Sequence, residues 1–111
     1  MEIRDNEKFC IFAPLGGKLD NRESQRLLNE ISVETRAVGI DLKYVYDCTI
    51  DFIKMLKMTA KTKQISIFNI PSDIFVLFNV MKLDKTVNLF VSELDFEENQ
   101  RRIINREFKL V

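Results

Sequence analysis

Apolar residues recur along this chain in two rhythms that alternate, and this alternation limits the fold more than any other feature. Phe9–Ala13 is a short apolar run stopped by Pro14 and Gly16-Gly17, the pattern of a buried strand ending in a turn. Asp20 then opens a helix that should fade near Arg36, with Leu27, Leu28 and Ile31 on one face. Val38, Ile40, Leu42, Tyr44 and Tyr46 recur at every second position, which predicts a strand over Val38–Tyr46. From Ile50 to about Met58 the helical period returns through Phe52, Ile53 and Leu56. Gln64–Asn69 reads as a third strand. Pro71-Ser72-Asp73 opens a third helix, with Ser72 as the expected N-cap and Ile74, Leu77, Phe78 and Met81 as its apolar face. Thr86–Val91 reads as a fourth strand.

Strands alternating with helices in this way predict an α/β fold. The expected form is a mixed, largely parallel sheet of four or five strands with helices mainly on one face. Leu27, Ile31, Ile40, Leu42, Phe52, Leu56, Ile65, Ile67, Phe78 and Leu89 are the expected core. No Pro-, Gly- or Ser-rich stretch divides the chain, so residues 1–111 are expected to form one domain.

Composition narrows the function classes. Seventeen Lys and Arg balance seventeen Asp and Glu, and a neutral chain lacks the basic surplus of a nucleic-acid partner. The sequence has no histidine, which removes Ser-His and Cys-His catalysis and the common zinc sites. Gly16-Gly17-Lys18 lacks the upstream glycine and the Lys-Ser/Thr pair of a P-loop. The expectation is therefore a non-enzyme with no catalytic residues, no cofactor and no metal. The charged start, Met1 to Lys8, has no apolar signal segment, and Ile74–Phe78 is far too short to span a membrane. A cytoplasmic protein without direct membrane insertion is expected.

Four motifs, in order, resemble the STAS domain of anti-sigma-factor antagonists. Gly17-Lys18-Leu19-Asp20 resembles the family's Gly-x-Leu-Asp. Ile40-Asp41-Leu42 is similar to its central-strand Leu-Asp-Leu. Asp47-Cys48-Thr49 stands where the family has Asp-Ser-Ser-Gly. Ile67-Phe68-Asn69-Ile70-Pro71, followed by Ile74, Leu77-Phe78 and Leu83, resembles the segment after the next strand. The resemblance is strongest over residues 9–91, and residues 92–111 diverge. It implies a STAS-like fold and a regulatory module that binds a protein partner. That partner would be an anti-sigma factor of the serine-kinase kind or, for a constitutive adaptor, a membrane-transporter subunit.

The resemblance also implies a switch loop at Asp47, Cys48 and Thr49. The usual phosphoserine is replaced by Cys48, and the following glycine by Ile50. Thr49 becomes the phosphorylation candidate, since a helix N-terminus tolerates phosphate; equally, Thr49 is a plain N-cap. Cys48 is either a thiol activated by the helix start or a small buried hydrophobe. Asp20 is expected to cap the first helix. Asp20, Asp51, Lys54, Lys57 and Phe75 are the partner-contact candidates. The lysines Lys54, Lys57, Lys61 and Lys63 read as a solvated face or a surface for an acidic partner.

The tail suits two descriptions. Phe96, Ile103, Ile104 and Phe108 fit a helical period, and Ile103–Val111 also fits a strand. A short helical turn after Ser92 followed by an extended, ordered segment is expected. That segment could pair with its own sheet or with a second copy, giving a homodimer.

Overall fold

The computed structural model describes residues 1–99. Its strands are β1 (Glu2–Asp5), β2 (Phe9–Ala13), β3 (Lys18–Leu19), β4 (Ala37–Asp41), β5 (Asp47–Cys48), β6 (Ile65–Phe68) and β7 (Asn88–Leu89). The helices are α1 (Asn21–Val33), α2 (Ile50–Thr59), α3 (Ser72–Val80) and α4 (residues 93–99), with a 3-10 turn at Leu83–Lys85. The main sheet runs β1-β2-β4-β6-β7, and β3 pairs with β5 in a separate two-stranded ribbon. Within the main sheet β1 is antiparallel to β2 and every other pair is parallel. This is the mixed α/β sheet that the alternating rhythms predict.

The two faces of the sheet are filled differently. One carries a large aliphatic core in which Val38, Ile40 and Leu42 of the central region meet Leu27, Leu28 and Ile31 of α1, Phe52, Ile53 and Leu56 of α2, and Ile74 and Phe78 of α3. The opposite face carries Ile11, Phe68 and Phe96, with Phe9 and Phe90 packed against them. Phe96, from α4, stacks on Phe68 at 5.4 Å and meets Phe9 edge-on at 5.3 Å. Gly39 makes room for this aromatic cluster, since a Cβ there would lie 3.0 Å from Phe68 and 3.1 Å from Phe96. Nine of the ten expected core residues are buried; Leu89 is only half-buried, since β7 is the last strand of the sheet among the described residues.

Several expectations are corrected. The predicted strand Val38–Tyr46 ends at Asp41, and beyond it the phase reverses: Val45 is buried while Tyr44 and Tyr46 are exposed. The central strand is covered on both sides, so its residues carry no true alternation. β1 was not expected at all. Its sequence, Glu-Ile-Arg-Asp, has no apolar stripe, and it forms because Asn6 folds the chain back by accepting the N–H groups of Lys8 and Phe9 at 2.8 and 2.9 Å. Ser72 is not the N-cap of α3. It is the first helical residue, and Pro71 occupies the cap with no side-chain bond. The helical turn expected after Ser92 is present as α4. The extended segment Ile103–Val111 and the homodimer built on it lie outside the described residues.

Candidate functional site

The β3–β5 ribbon brings two helix starts side by side. Lys18 pairs with Asp47 and Leu19 with Cys48, so Asp20 and Thr49, one residue further on, stand at the same level. The Gly17 carbonyl accepts the N–H of Tyr46 at 2.7 Å, and the Leu19 carbonyl accepts that of Thr49 at 3.1 Å. Gly17 has a φ of +80°, and its bare Cα lets the Tyr46 ring lie so close that a Cβ would be 2.5 Å from it.

Both helices begin on side-chain caps. Asp20 accepts the Glu23 N–H at 2.9 Å. The Thr49 hydroxyl accepts the Phe52 N–H at 3.2 Å and donates its own proton to Asn21 Oδ1 at 3.0 Å. The Asn21 amide in turn donates to Asp51 Oδ2 at 3.1 Å. A continuous chain of hydrogen bonds therefore ties the start of α2 to the start of α1. Sequence reasoning placed Thr49, Asp20 and Asp51 here but missed Asn21, which carries no signal except that it follows a capping aspartate. Asp47 is exposed in the ribbon, beside the same helix starts.

Cys48 is not an activated thiol. It is 8% exposed, and burial together with the Asp47 charge pushes its thiol up to about 11. The helix start does not rescue the thiolate because the side chain points into the core, among aliphatic groups.

The other expected contact residues do not converge on this site. Lys57 donates to the Met81 carbonyl at the C-cap of α3, and Lys63 donates to the Ser32 and Glu34 carbonyls at the end of α1. Both neutralise helix C-termini, so the four lysines do not form one free face. Lys54 is exposed. Phe75 is also exposed, but it lines an apolar groove with Leu89 and Val91 beside β7. Sequence reasoning overlooked two exposed residues beside this turn: Tyr46, held on Gly17 of the ribbon, at 73%, and Ile50, the first residue of α2, at 53%.

A buried polar cluster anchors the loop that leads into this site. Asp41, at the end of β4, is fully buried. Its carboxylate accepts the Lys43 N–H at 3.0 Å, the Asn69 amide at 3.1 Å and the Arg4 guanidinium at 3.1 Å. Burial by itself would raise this carboxyl, but the bonds from Lys43, Asn69 and Arg4 outweigh it and hold the group below its ordinary value. Arg4 also reaches Glu2 and Glu93, so one side chain joins β1, β4 and α4. Among the described residues no group of three or more metal-ligating side chains is placed to hold an ion, and no helix is long and apolar enough to cross a membrane.

Comparison with known proteins places the fold. No family model and no curated protein matches the chain in sequence. Among solved structures, a proposed anti-sigma factor antagonist from Thermotoga maritima aligns over 90% of this chain and 93% of its own, with a TM-score of 0.76 and 12% identity. That likeness establishes the STAS-like α/β fold which the four motifs imply.

Proposed function

We propose that this chain is a non-enzymatic, single-domain, cytoplasmic module that binds a protein partner through the end of the molecule where α1 and α2 begin. The observation that carries this reading is the Thr49 turn. A hydroxyl at a helix start is tied across to a second helix, with exposed Ile50 next to it in the chain and exposed Tyr46 held on Gly17 at the same ribbon. An exposed tyrosine and an exposed aliphatic residue beside a polar centre suit a protein interface. The STAS-like fold agrees with it, since the solved relative in fold is a proposed anti-sigma factor antagonist.

Partner exchange would be governed by phosphate on Thr49. The α2 N-terminus offers the Phe52 N–H and a partial positive charge to a phosphate oxygen, which favours an intact fold. The Thr49–Asn21 bond would be lost with the hydroxyl proton, and the new charge would face Asp51 and Asp47. A partner docked on Tyr46 and Ile50 would meet that charge and dissociate.

A second reading is a constitutive adaptor, such as the STAS subunit of a transport complex. One observation favours it: the Thr49 hydroxyl already makes two hydrogen bonds, and a kinase must break both. Affinity capture of the tagged protein with ATP present, followed by mass spectrometry, separates the two. A switch gives phosphate on Thr49 and a partner that Thr49→Glu releases. An adaptor gives an unmodified Thr49 and a partner retained by Thr49→Glu. A partner indifferent to Tyr46→Ala in both cases would refute the surface itself.

A further inference from the structure

Among the described residues the main sheet ends on β1 and β7, and the two edges differ. β7 offers only Asn88–Leu89, whereas all four residues of β1 pair with β2, so β1 is the longer edge. The Asn6 N–H donates to the Phe9 carbonyl at 3.0 Å. Bonded and non-bonded pairs alternate along an antiparallel ladder, so Arg4 and Glu2 also turn their main-chain groups toward β2. The N–H and C=O groups of Ile3 and Asp5 then point outward, where no strand of the described residues meets them. Side chains alternate as well. Ile3 pairs with Phe12 at the rim of the aliphatic face and is 49% exposed. Glu2 and Arg4 lie on the other face, where Asp41 and Glu93 hold Arg4 in place. An open edge of this kind accepts another strand.

We propose that the strand it accepts is β1 of a second copy of this chain, antiparallel across a two-fold axis at Ile3, so that two sheets become one. The charges select this pairing. The antiparallel registers that set outward groups against outward groups place Glu2, Ile3, Arg4 or Asp5 opposite itself at the axis. Three of these bring like charges together, which is unfavourable. With Ile3 on the axis, Glu2 of each copy faces Arg4 of the other in a non-bonded pair, where side chains come closest. The two Ile3 residues exchange N–H···O=C bonds, and the Asp5 N–H donates to the Met1 carbonyl of the second copy. The Ile3 side chains meet and cover each other's exposed surface. Charge on an edge strand is an ordinary guard against pairing; here the guard leaves one register open. The chain has no net charge to oppose self-association. Two short strands bury well under the roughly 1,200 Å² of a standard interface, so the dimer is weak and forms at high concentration. The inference does not rest on the Thr49 reading.

The test is sedimentation of the full chain from about 10 µM to about 1 mM, the range in which a small interface is populated. The unsubstituted chain should pass from monomer to dimer. Glu2→Arg should weaken the dimer about tenfold, since two attractive pairs become repulsive. Ile3→Pro removes an N–H that bonds nothing within the monomer and should abolish the dimer, with thermal unfolding reporting that the fold survives. Ile3→Cys should oxidise to a disulfide between copies, because a bonded pair holds its Cα atoms about 5.5 Å apart, within disulfide reach. Asp5→Cys, out of register with its copy, should not. The native Cys10 and Cys48 are buried and do not compete. Glu2→Arg and the two cysteine variants decide the matter even where proline disturbs the strand. A chain that stays monomeric throughout, a dimer indifferent to Glu2→Arg, or Asp5→Cys cross-linking as fast as Ile3→Cys overturns the proposal.

Discussion

Two strand-to-helix turns, one leaving the β3–β5 ribbon and one leaving β6 of the main sheet, are held by opposite means. The turn into α2 is closed from outside, by the Thr49 hydroxyl acting on the Phe52 N–H and on Asn21. The turn into α3 is closed from inside. Asn69 takes a left-handed conformation with φ +53°, and its amide bonds the fully buried Asp41 carboxylate, while Pro71 starts the helix with no side-chain cap. The difference separates roles. A cap that faces solvent can be covered or modified without opening the core, whereas a turn rooted in a buried carboxylate fixes backbone and cannot be touched cheaply. Asp41 also holds the Lys43 N–H at the start of the loop leading to Tyr46. The inner turn therefore supports the outer one.

The strongest way to break the comparison is to remove the inner anchor. Asp41→Ala should cost about 3 kcal/mol, because it strands the Asn69 amide, the Lys43 N–H and one contact of Arg4. Urea unfolding measures it, and a loss below about 1 kcal/mol would make the inner turn no firmer than the outer.

Acid should act through the same group. The folded-state value of Asp41 lies below the ordinary one near 3.9, so its contribution is fully present above that pH and is lost as pH falls through the depressed value. Glu34, held at about 2 chiefly by its bond from Arg36, has a side chain only 14% exposed and loses its contribution in the same window. Thermal unfolding should show stability dropping below about pH 4, with a shallower drop in Asp41→Asn.

At the outer turn, Thr49→Ala should cost about 1 kcal/mol, the usual worth of an N-cap. Thr49→Ser should restore most of it. If alanine is neutral, the bridge to Asn21 contributes nothing and the two helix starts are held by the β3–β5 ribbon alone.

The smallest effect belongs to Ser72→Ala. Sequence preference gives Ser72 the same capping role as Thr49, but its side chain caps nothing, so the change should stay within about 0.5 kcal/mol. A cost near 1 kcal/mol would show that the hydroxyl does cap α3 in solution.

These pairs also mark how far the sequence could be read. Thr49 and Ser72 look alike in one dimension; which of them caps depends on the backbone angles before each helix, and Pro71 claims the cap at α3. Lys57 and Lys63 look like members of one charged face, yet each reaches a carbonyl at the end of a different helix. Asn21 and Thr49 lie twenty-eight residues apart, and only the β3–β5 ribbon brings their two helix starts together so that the bond between them can form.

The sequence by itself determined the order and kind of most elements, the buried face of each helix and two of the helix caps, because those follow from side-chain period and from hydrogen bonds a few residues long. The tertiary structure decided that β1 exists, that β4 ends at Asp41, that Cys48 turns inward and that Arg4 meets a carboxylate thirty-seven residues away. Apart from β1, whose turn Asn6 closes locally, these are set by partners distant in the chain, and no local pattern of residues records which distant group will supply the missing bond or exclude the water.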